Sequence, residues 1–408
     1  MTTLAVLIAT IYLVGFLFSP FPYWRTFFVI LGAVLTKNRA HVGLSSRLRQ
    51  LLFLLRYPLL APLWTALWYC DEIFFGDYRK VQVRPVFILG QGRSGTTFLH
   101  RTLAADKSTF TAVRHYEWRY PFLILQKIVA SSRAVQRILE KNYWSNTEAG
   151  RIASKMHPNN LMDWEEDAIY FEECFLHHIF SYLRFPYPDI LPYLDEFPGL
   201  PTHVRRKLLH CHRKSIQKVM YLAGGDAKYF VSKEVAGHNK LPDLQRLYPE
   251  ARFVFTLRPS SDFMSSLLPL VRHSSMSKTG VDPDDIPRWE EAFIETIRNH
   301  SLLLVDLCGS ELDKSRQTFI TFEWLTSDVV SAVEYIYRQL GLEIGEDYRK
   351  ELNAIGSQQK ERSRGYQYEK RQLDGFQKFD EFVADVRLEV ARQDLWQTET
   401  VTRAQTTD

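Results

Sequence analysis

Cysteine is scarce: Cys70, Cys174, Cys211 and Cys308 are the only four in 408 residues, scattered without metal-ligand spacing. That excludes a disulfide framework and a thiolate metal site, and reads as free, mostly buried thiols of a reducing compartment. A charge excess is missing too. With 51 basic and 47 acidic residues the net charge is +4, far too little for a nucleic-acid partner and weak support for an anionic small ligand. His210-Cys211-His212 invites a metal, but adjacent residues rarely aim at one ion, and no metal is expected. No internal repeat or low-complexity linker follows residue 80, and the length suits one large core, or a main domain plus an appendage.

Residues 1–24 lack any charged side chain, and this absence is informative. Leu4 to Phe18 is almost wholly apolar, Arg25 interrupts, and Thr26 to Thr36 is apolar again. A helical span needs about 20 apolar residues. The segment therefore reads as one span from about Thr3 to Tyr23, or as a hairpin bent at Pro20 and Pro22. It has neither the basic start nor the small-residue cleavage site of a signal peptide. Lys37, Arg39, Arg47 and Arg49 follow, which by the positive-inside rule puts this side in the cytoplasm, with a luminal orientation as the alternative. Leu51–Phe75 contains Arg56, Pro58, Pro62, Trp64, Trp68 and Tyr69. These suit an aromatic-rich helix at a membrane interface, or an ordinary helix packed on the body behind it. Aromatic residues make up 14% of the chain, which fits lipid handling as well as a large core.

What is present centres on residues 85–101. Val86 to Leu89 is a β-branched and aromatic run of the kind found in buried parallel strands. Gly90, Gly92 and Gly95 form a loop, and Thr96-Thr97-Phe98-Leu99 opens a helix. Strand, glycine-rich turn and helix N-terminus make an anion cradle, because backbone N–H groups and the helix dipole face the ligand. Against the nucleotide pattern G-x-x-x-x-G-K-[ST], the lysine is replaced by Thr96 and the charge has moved to Arg93. Such a loop suits a short anionic arm better than a magnesium triphosphate. Beyond it, strands alternate with helices, predicting an α/β fold: a P-loop-like, three-layer parallel sheet with flanking helices, preceded by N-terminal hydrophobic membrane-associated helices.

Two further strands end in charge: Tyr229 to Lys233, and Arg252 to Arg258. Ser266 follows Arg258 on the next helix. Gln317 to Leu325 reads as another strand and turn. The aromatic stretch 175–200 is expected to line an acceptor pocket or to fill the core.

The run Gly92-Arg93-Ser94-Gly95-Thr96-Thr97 resembles the 5′-phosphosulfate loop of sulfotransferases that use 3′-phosphoadenosine 5′-phosphosulfate (PAPS), and in particular a bacterial-type branch. The usual form begins with proline, which Gly92 replaces. The Arg258 and Ser266 spacing, about 165 residues behind Arg93, matches the 3′-phosphate site of that family. Proline follows Arg258 directly, whereas the family more often shows Arg-Asp-Pro. The resemblance runs from about residue 85 to 376. It implies transfer of a sulfuryl group from PAPS to a hydroxyl acceptor without a metal, and the membrane segment points to a lipid or other amphipathic alcohol.

The resemblance also assigns roles. Gly92, Arg93, Ser94, Gly95, Thr96 and Thr97 would hold the 5′ end of PAPS, and Arg258 with Ser266 the 3′-phosphate. Arg93 and Lys233 would meet the transferring group, although Lys233-Glu234-Val235 stands where the family usually shows Lys-Ser-Pro. Glu117 would accept the acceptor's proton, with His115 in reserve. His157-Pro158 and the acidic run Asp163–Asp167 resemble a segment of the bacterial-type branch. Glu165 and Glu166 are then either site residues or dipole partners in the first turn of a helix. Ser363 to Tyr368, with Asp374-Gly375-Phe376, loosely matches a loop that closes over PAPS. The expected divisions are 1–80, membrane anchor and interfacial helices; 81–376, catalytic domain; and 377–408, C-terminal helix and tail. The competing readings are a P-loop kinase or NTPase, and a non-catalytic membrane adaptor that keeps the fold.

Overall fold

The computed structural model describes residues 2–405 except 143–145, 226–227, 236, 362–369 and 371–372. Of the expected closing loop, Ser363 to Tyr368 therefore lies outside the described residues, whereas Asp374-Gly375-Phe376 is described, with Phe376 buried.

Five parallel strands form the centre: β1 (Pro85–Gly90), β2 (Phe110–Thr111), β3 (Tyr229–Val235), β4 (Arg252–Leu257) and β5 (Gln317–Thr321), in the order β2-β3-β1-β4-β5. β1 is central and all six of its residues are buried. Its side chains alternate between two cores. Val86 and Ile88 join Val231, Val254 and Ile320 on one face, and Phe87 and Leu89 join Phe230, Phe253 and Phe255 on the other. Burial of such side chains stabilises by roughly 1.5–3 kcal/mol each, and only a sheet covered on both faces collects that twice over. Helices supply both covers, giving the three layers expected. The register pairs Ile88 with both Lys233 and Val254, so β1, β3 and β4 finish almost level. In open parallel sheets ligands bind beyond these carboxyl ends.

The N-terminal helices are α1 (Thr2–Phe18), α2 (Trp24–Thr36) and α3 (Leu44–Phe74). The chain breaks between α1 and α2, at the segment holding Pro20 and Pro22. A single span from Thr3 to Tyr23 is thus not formed, and the bend at the prolines is, since neither can donate an N–H to a continuing helix. α3 is one helix that runs through Pro58 and Pro62. α1 lies against α3, with Gly15 so close that a Cβ there would stand 2.4 Å from the Pro62 Cα, and Thr65 Oγ1 donates to the Gly15 carbonyl at 2.8 Å.

The aromatic stretch 175–200 forms core rather than an open pocket. Phe175 packs on Tyr57 at 4.7 Å between ring centroids, Phe185 on Phe53 at 5.9 Å, and Tyr187 donates to Gln50 Oε1 at 2.6 Å. It is the seat on which α3 rests. All four cysteines are free, three of them buried. The C-terminal helix Gln377–Gln405 caps the helix Ser260–Thr279, where Asp380 accepts from Ser260 N and Oγ at 2.7 and 2.6 Å.

Candidate active site

The loop after β1 leads into α4 (Thr96–Ala105). Gly90 lies so close to β4 that a Cβ would stand 2.4 Å from the Thr256 carbonyl oxygen. Gly95 has φ +90°, a left-handed conformation that glycine adopts without strain, and it turns the chain into α4. Ser94 N donates to the Gln91 carbonyl at 3.1 Å and closes the turn. Within the loop, the Ser94 hydroxyl and both ends of the Gln91 amide are buried with no hydrogen-bond partner among the described residues. Buried polar atoms left in this state cost ~1–3 kcal/mol each, so a ligand with oxygen atoms fits this cradle.

Both halves of the expected phosphate site meet here. Arg93 Nε donates to Ser266 Oγ at 2.9 Å and Nη1 to the Met156 carbonyl at 3.0 Å. Arg258 Nη1 donates to the Arg93 carbonyl at 2.8 Å, and its guanidinium lies 4.1 Å from the centre of the Phe322 ring. Phe322 was not singled out by sequence. As the first residue of the helix that follows β5, it carried no polar signal.

Lys233, near the end of β3, donates to Thr97 Oγ1 at 3.0 Å and pairs with Glu165 at 3.0 Å and Glu166 at 3.7 Å. Burial alone would lower the lysine's pKa, but the two carboxylates outweigh it and hold it above its ordinary value. Burial likewise opposes ionisation of Glu165, yet Lys233 and His157 hold this carboxyl well below the usual range. Glu166, against the same lysine, is pushed well up by burial and by Glu165 beside it.

The acidic run does not open a helix as expected. The helix Ala168–Glu173 starts only after Asp167. Residues 161–165 instead run along the chain that leads into α5 (His115–Arg119). His115 N donates to the Asp163 carbonyl at 2.9 Å, and Glu165 N to the Val113 carbonyl at 3.0 Å. That pairing, invisible in local sequence, turns Glu165 toward Lys233.

Glu117 sits on α5. Its carboxylate accepts from Arg114 N at 2.7 Å and from the Tyr116 hydroxyl at 3.0 Å, and burial raises its pKa. His115, the reserve, has both ring nitrogens engaged: Arg119 Nε donates to Nε2 at 2.8 Å, so Nδ1 carries the proton that faces Asn159 Oδ1 at 3.5 Å. Burial and then Arg119 lower its pKa to about 3. No lone pair remains to take a proton, and the ring instead orients Asn159, whose Nδ2 donates to Glu165 at 2.9 Å.

Outside this region, Asp195 accepts from His178 Nδ1 at 2.6 Å and His300 Nε2 at 3.0 Å. Sequence gave no sign of this triad, whose members lie far apart in the chain. Of His210-Cys211-His212, His212 is stacked on Trp118 and bonded to Asp167 at 3.2 Å, all three residues lying on one helix, Thr202–Leu222.

A family model described as the sulfotransferase family matches residues 85–346. The fold is similar to that of sulfotransferase STF1 from Mycobacterium tuberculosis H37Rv, at 19% identity and TM-score 0.61, over 80% of this chain and 86% of that one. It is similar also to STF9 from Mycobacterium avium, at 13% identity and TM-score 0.61, over 90% and 89% of the two chains. A comparison with curated protein sequences returns no match. Because the family match begins with β1, takes in the loop, Lys233, Arg258 and Ser266, and ends beyond β5, the chain belongs to the sulfotransferase family.

Proposed function

We propose that this protein moves the sulfuryl group of PAPS to the hydroxyl of an amphipathic alcohol, a lipid or sterol, at a membrane whose cytoplasmic face carries the catalytic body. The observation that carries the reading is the convergence of Arg93, Arg258 and Ser266 beyond the carboxyl ends of β1 and β4.

In this reading Arg93 and the backbone N–H groups of Gly92 to Thr97 bind the 5′-phosphosulfate. The first N–H groups of α4 have no partner inside the helix and point at that anion. Arg258 and Ser266 bind the 3′-phosphate, which selects PAPS over nucleotides without it. Lys233 meets the sulfuryl oxygens. Glu117 takes the acceptor's proton as the acceptor oxygen bonds to sulfur and the bond from sulfur to the phosphate oxygen breaks, leaving 3′-phosphoadenosine 5′-phosphate (PAP). Each well-aimed donor is worth ~3–4 kcal/mol in the transition state. The raised pKa of Glu117 suits a base better than the depressed one of Glu165. The apolar exposed surface of α1 to α3 supports the membrane and the lipid-like acceptor.

Calorimetry on the detergent-solubilised protein tests the reading by comparing PAP with ADP and with ATP–magnesium, with Arg258→Ala as control. Tight PAP binding that collapses in the variant is expected. Preference for ATP–magnesium would overturn it in favour of a kinase, and PAP binding without turnover of any alcohol would favour an adaptor.

A further inference from the structure

We propose that α1, α2 and α3 form an in-plane platform that docks on one leaflet of an anionic bilayer, and that none of them crosses it. This deepens the membrane part of the reading above and does not depend on the transfer chemistry.

By length and composition α3 qualifies as a span. Its fastening forbids one. Near its start Gln50 accepts from Tyr187, and in its middle Tyr57 and Arg56 bond Glu173 at 2.9 and 2.8 Å. Near its end Asp71 pairs with Lys218 at 2.9 Å and accepts from Leu123 N at 2.8 Å. From Gln50 to Asp71 the helix rises ~32 Å, the whole of a hydrocarbon core about 30 Å thick. A crossing helix would carry Glu173, Lys218 and the sheet domain behind them into the lipid, where buried ions are strongly disfavoured. The helix must lie flat.

The opposite face of α3 is built for that orientation. Leu44, Leu48, Leu52, Leu55, Leu59 and Leu63 recur at three- and four-residue steps and are 48% to 83% exposed. Six leucines in a continuous exposed stripe exceed what a water-facing surface ordinarily shows. α1, held to α3 at Gly15, is apolar on every side and exposed from Thr3 to Val14, so it belongs in the same apolar layer.

Charge decides the occupant. Residues 1–70 contain six basic residues and not one aspartate or glutamate, and of the six Arg25, Lys37 and Arg56 pair with Glu196, Asp189 and Glu173 of the body. Arg39 and Arg49 are exposed and, among the described residues, form no ion pair. A second copy docked through this face would set like charges against each other across a two-fold axis, whereas an anionic leaflet complements them.

The test is flotation of the full-length protein, freed of detergent in the presence of sealed vesicles of phosphatidylcholine with or without phosphatidylglycerol. Binding roughly tenfold stronger to the anionic vesicles is expected, weakened by Arg39→Gln with Arg49→Gln and by high salt. Leu48→Asp with Leu55→Asp and Leu59→Asp should abolish flotation, and an unchanged melting transition shows that this variant is folded; if it is not, the arginine pair decides. Protease added outside should remove an N-terminal tag. A tag protected inside the vesicle would mean that α1 crosses, and a vesicle-free dimer dispersed by the leucine variant would mean that a second copy covers the face; either overturns the proposal. Flotation is scored whether or not PAP binds, so failure here is distinct from failure of the sulfotransferase reading.

Discussion

Arg93 and Ser266 stand 173 positions apart in the chain and meet at 2.9 Å. The hydrogen bond joins the loop after β1 to the helix after β4, the two elements assigned to opposite ends of PAPS. Each therefore positions the other. In the proposed reading, Ser266→Ala removes a donor to the 3′-phosphate and loosens Arg93. PAP affinity should fall ~10-fold, and Arg258→Ala, which removes a charged donor, should lower it ~100-fold. Calorimetry with PAP and with the same nucleotide lacking the 3′-phosphate checks this. Equal losses for both ligands would show that the pair does not read the 3′ end.

As the proposed base, Glu117 must be ionised, so activity should fall as pH drops through its pKa. Burial places that pKa above the ordinary 4.5, and the acid limb of the rate profile should lie above it too. Glu117→Gln should cost ~10²–10⁴-fold in rate and erase the limb. Glu165→Gln should lower the rate yet keep the limb, because Lys233 and His157 hold Glu165 ionised throughout that range. A limb that vanishes with Glu165 instead would transfer the role of base.

The Lys233–Glu165 pair is almost fully buried, at 1% and 2% side-chain exposure. Lys233→Met strands a buried carboxylate and should destabilise by ~3–5 kcal/mol. Adding Glu165→Gln should restore most of that, as measured by urea denaturation of each variant. No recovery in the double variant would show that Lys233 acts through packing and not through its charge.

Gly90→Ala would drive a methyl into the Thr256 carbonyl oxygen at 2.4 Å and force β1 and β4 apart. A loss of ~1–3 kcal/mol or more is expected. Gly199→Ala, with nothing within 4 Å of its new methyl, should stay within about 0.5 kcal/mol. Thermal melts of both variants make the comparison.

Acid should destabilise the protein through its buried histidines. Burial lowers His100 to about 4, and His115 and His238 to about 3, from an ordinary 6.5. Between those values the unfolded chain binds protons that the folded one refuses. Their contribution to stability is complete above about pH 6.5 and is lost as pH falls, by up to ~1.4 kcal/mol per pH unit per histidine, offset in part by Glu166 and Glu234, whose burial-raised carboxyls hold a proton in the fold. A melting temperature flat from pH 6.5 to 4.5 would contradict this.

Much of the catalytic half could be read locally. A glycine-rich turn between a buried strand and a helix is a contiguous pattern, and so is a strand that ends in arginine with a serine two turns on. Those patterns placed the loop at a strand-to-helix turn and Arg258 at a strand end, because backbone geometry dictates residue type over a few positions. The helix start at Ala168 was missed for the converse reason: Asp163 to Glu165 bond to residues 113–115, some fifty positions earlier, and that pairing overrides their preference for a helical first turn.

By itself the sequence determined the class of fold, the glycine-rich turn from strand to helix and the apolar, acid-free N-terminus. These depend on periodicity, on glycine where the backbone demands it, and on composition. Only the tertiary structure decided which charges meet: Glu165 with Lys233, Arg93 with Ser266, Asp71 with Lys218. It also decided that α3, long and apolar enough to cross a bilayer, is seated on the body along its length. Hydropathy counts a helix's residues without regard to face, whereas docking depends on which face is already taken.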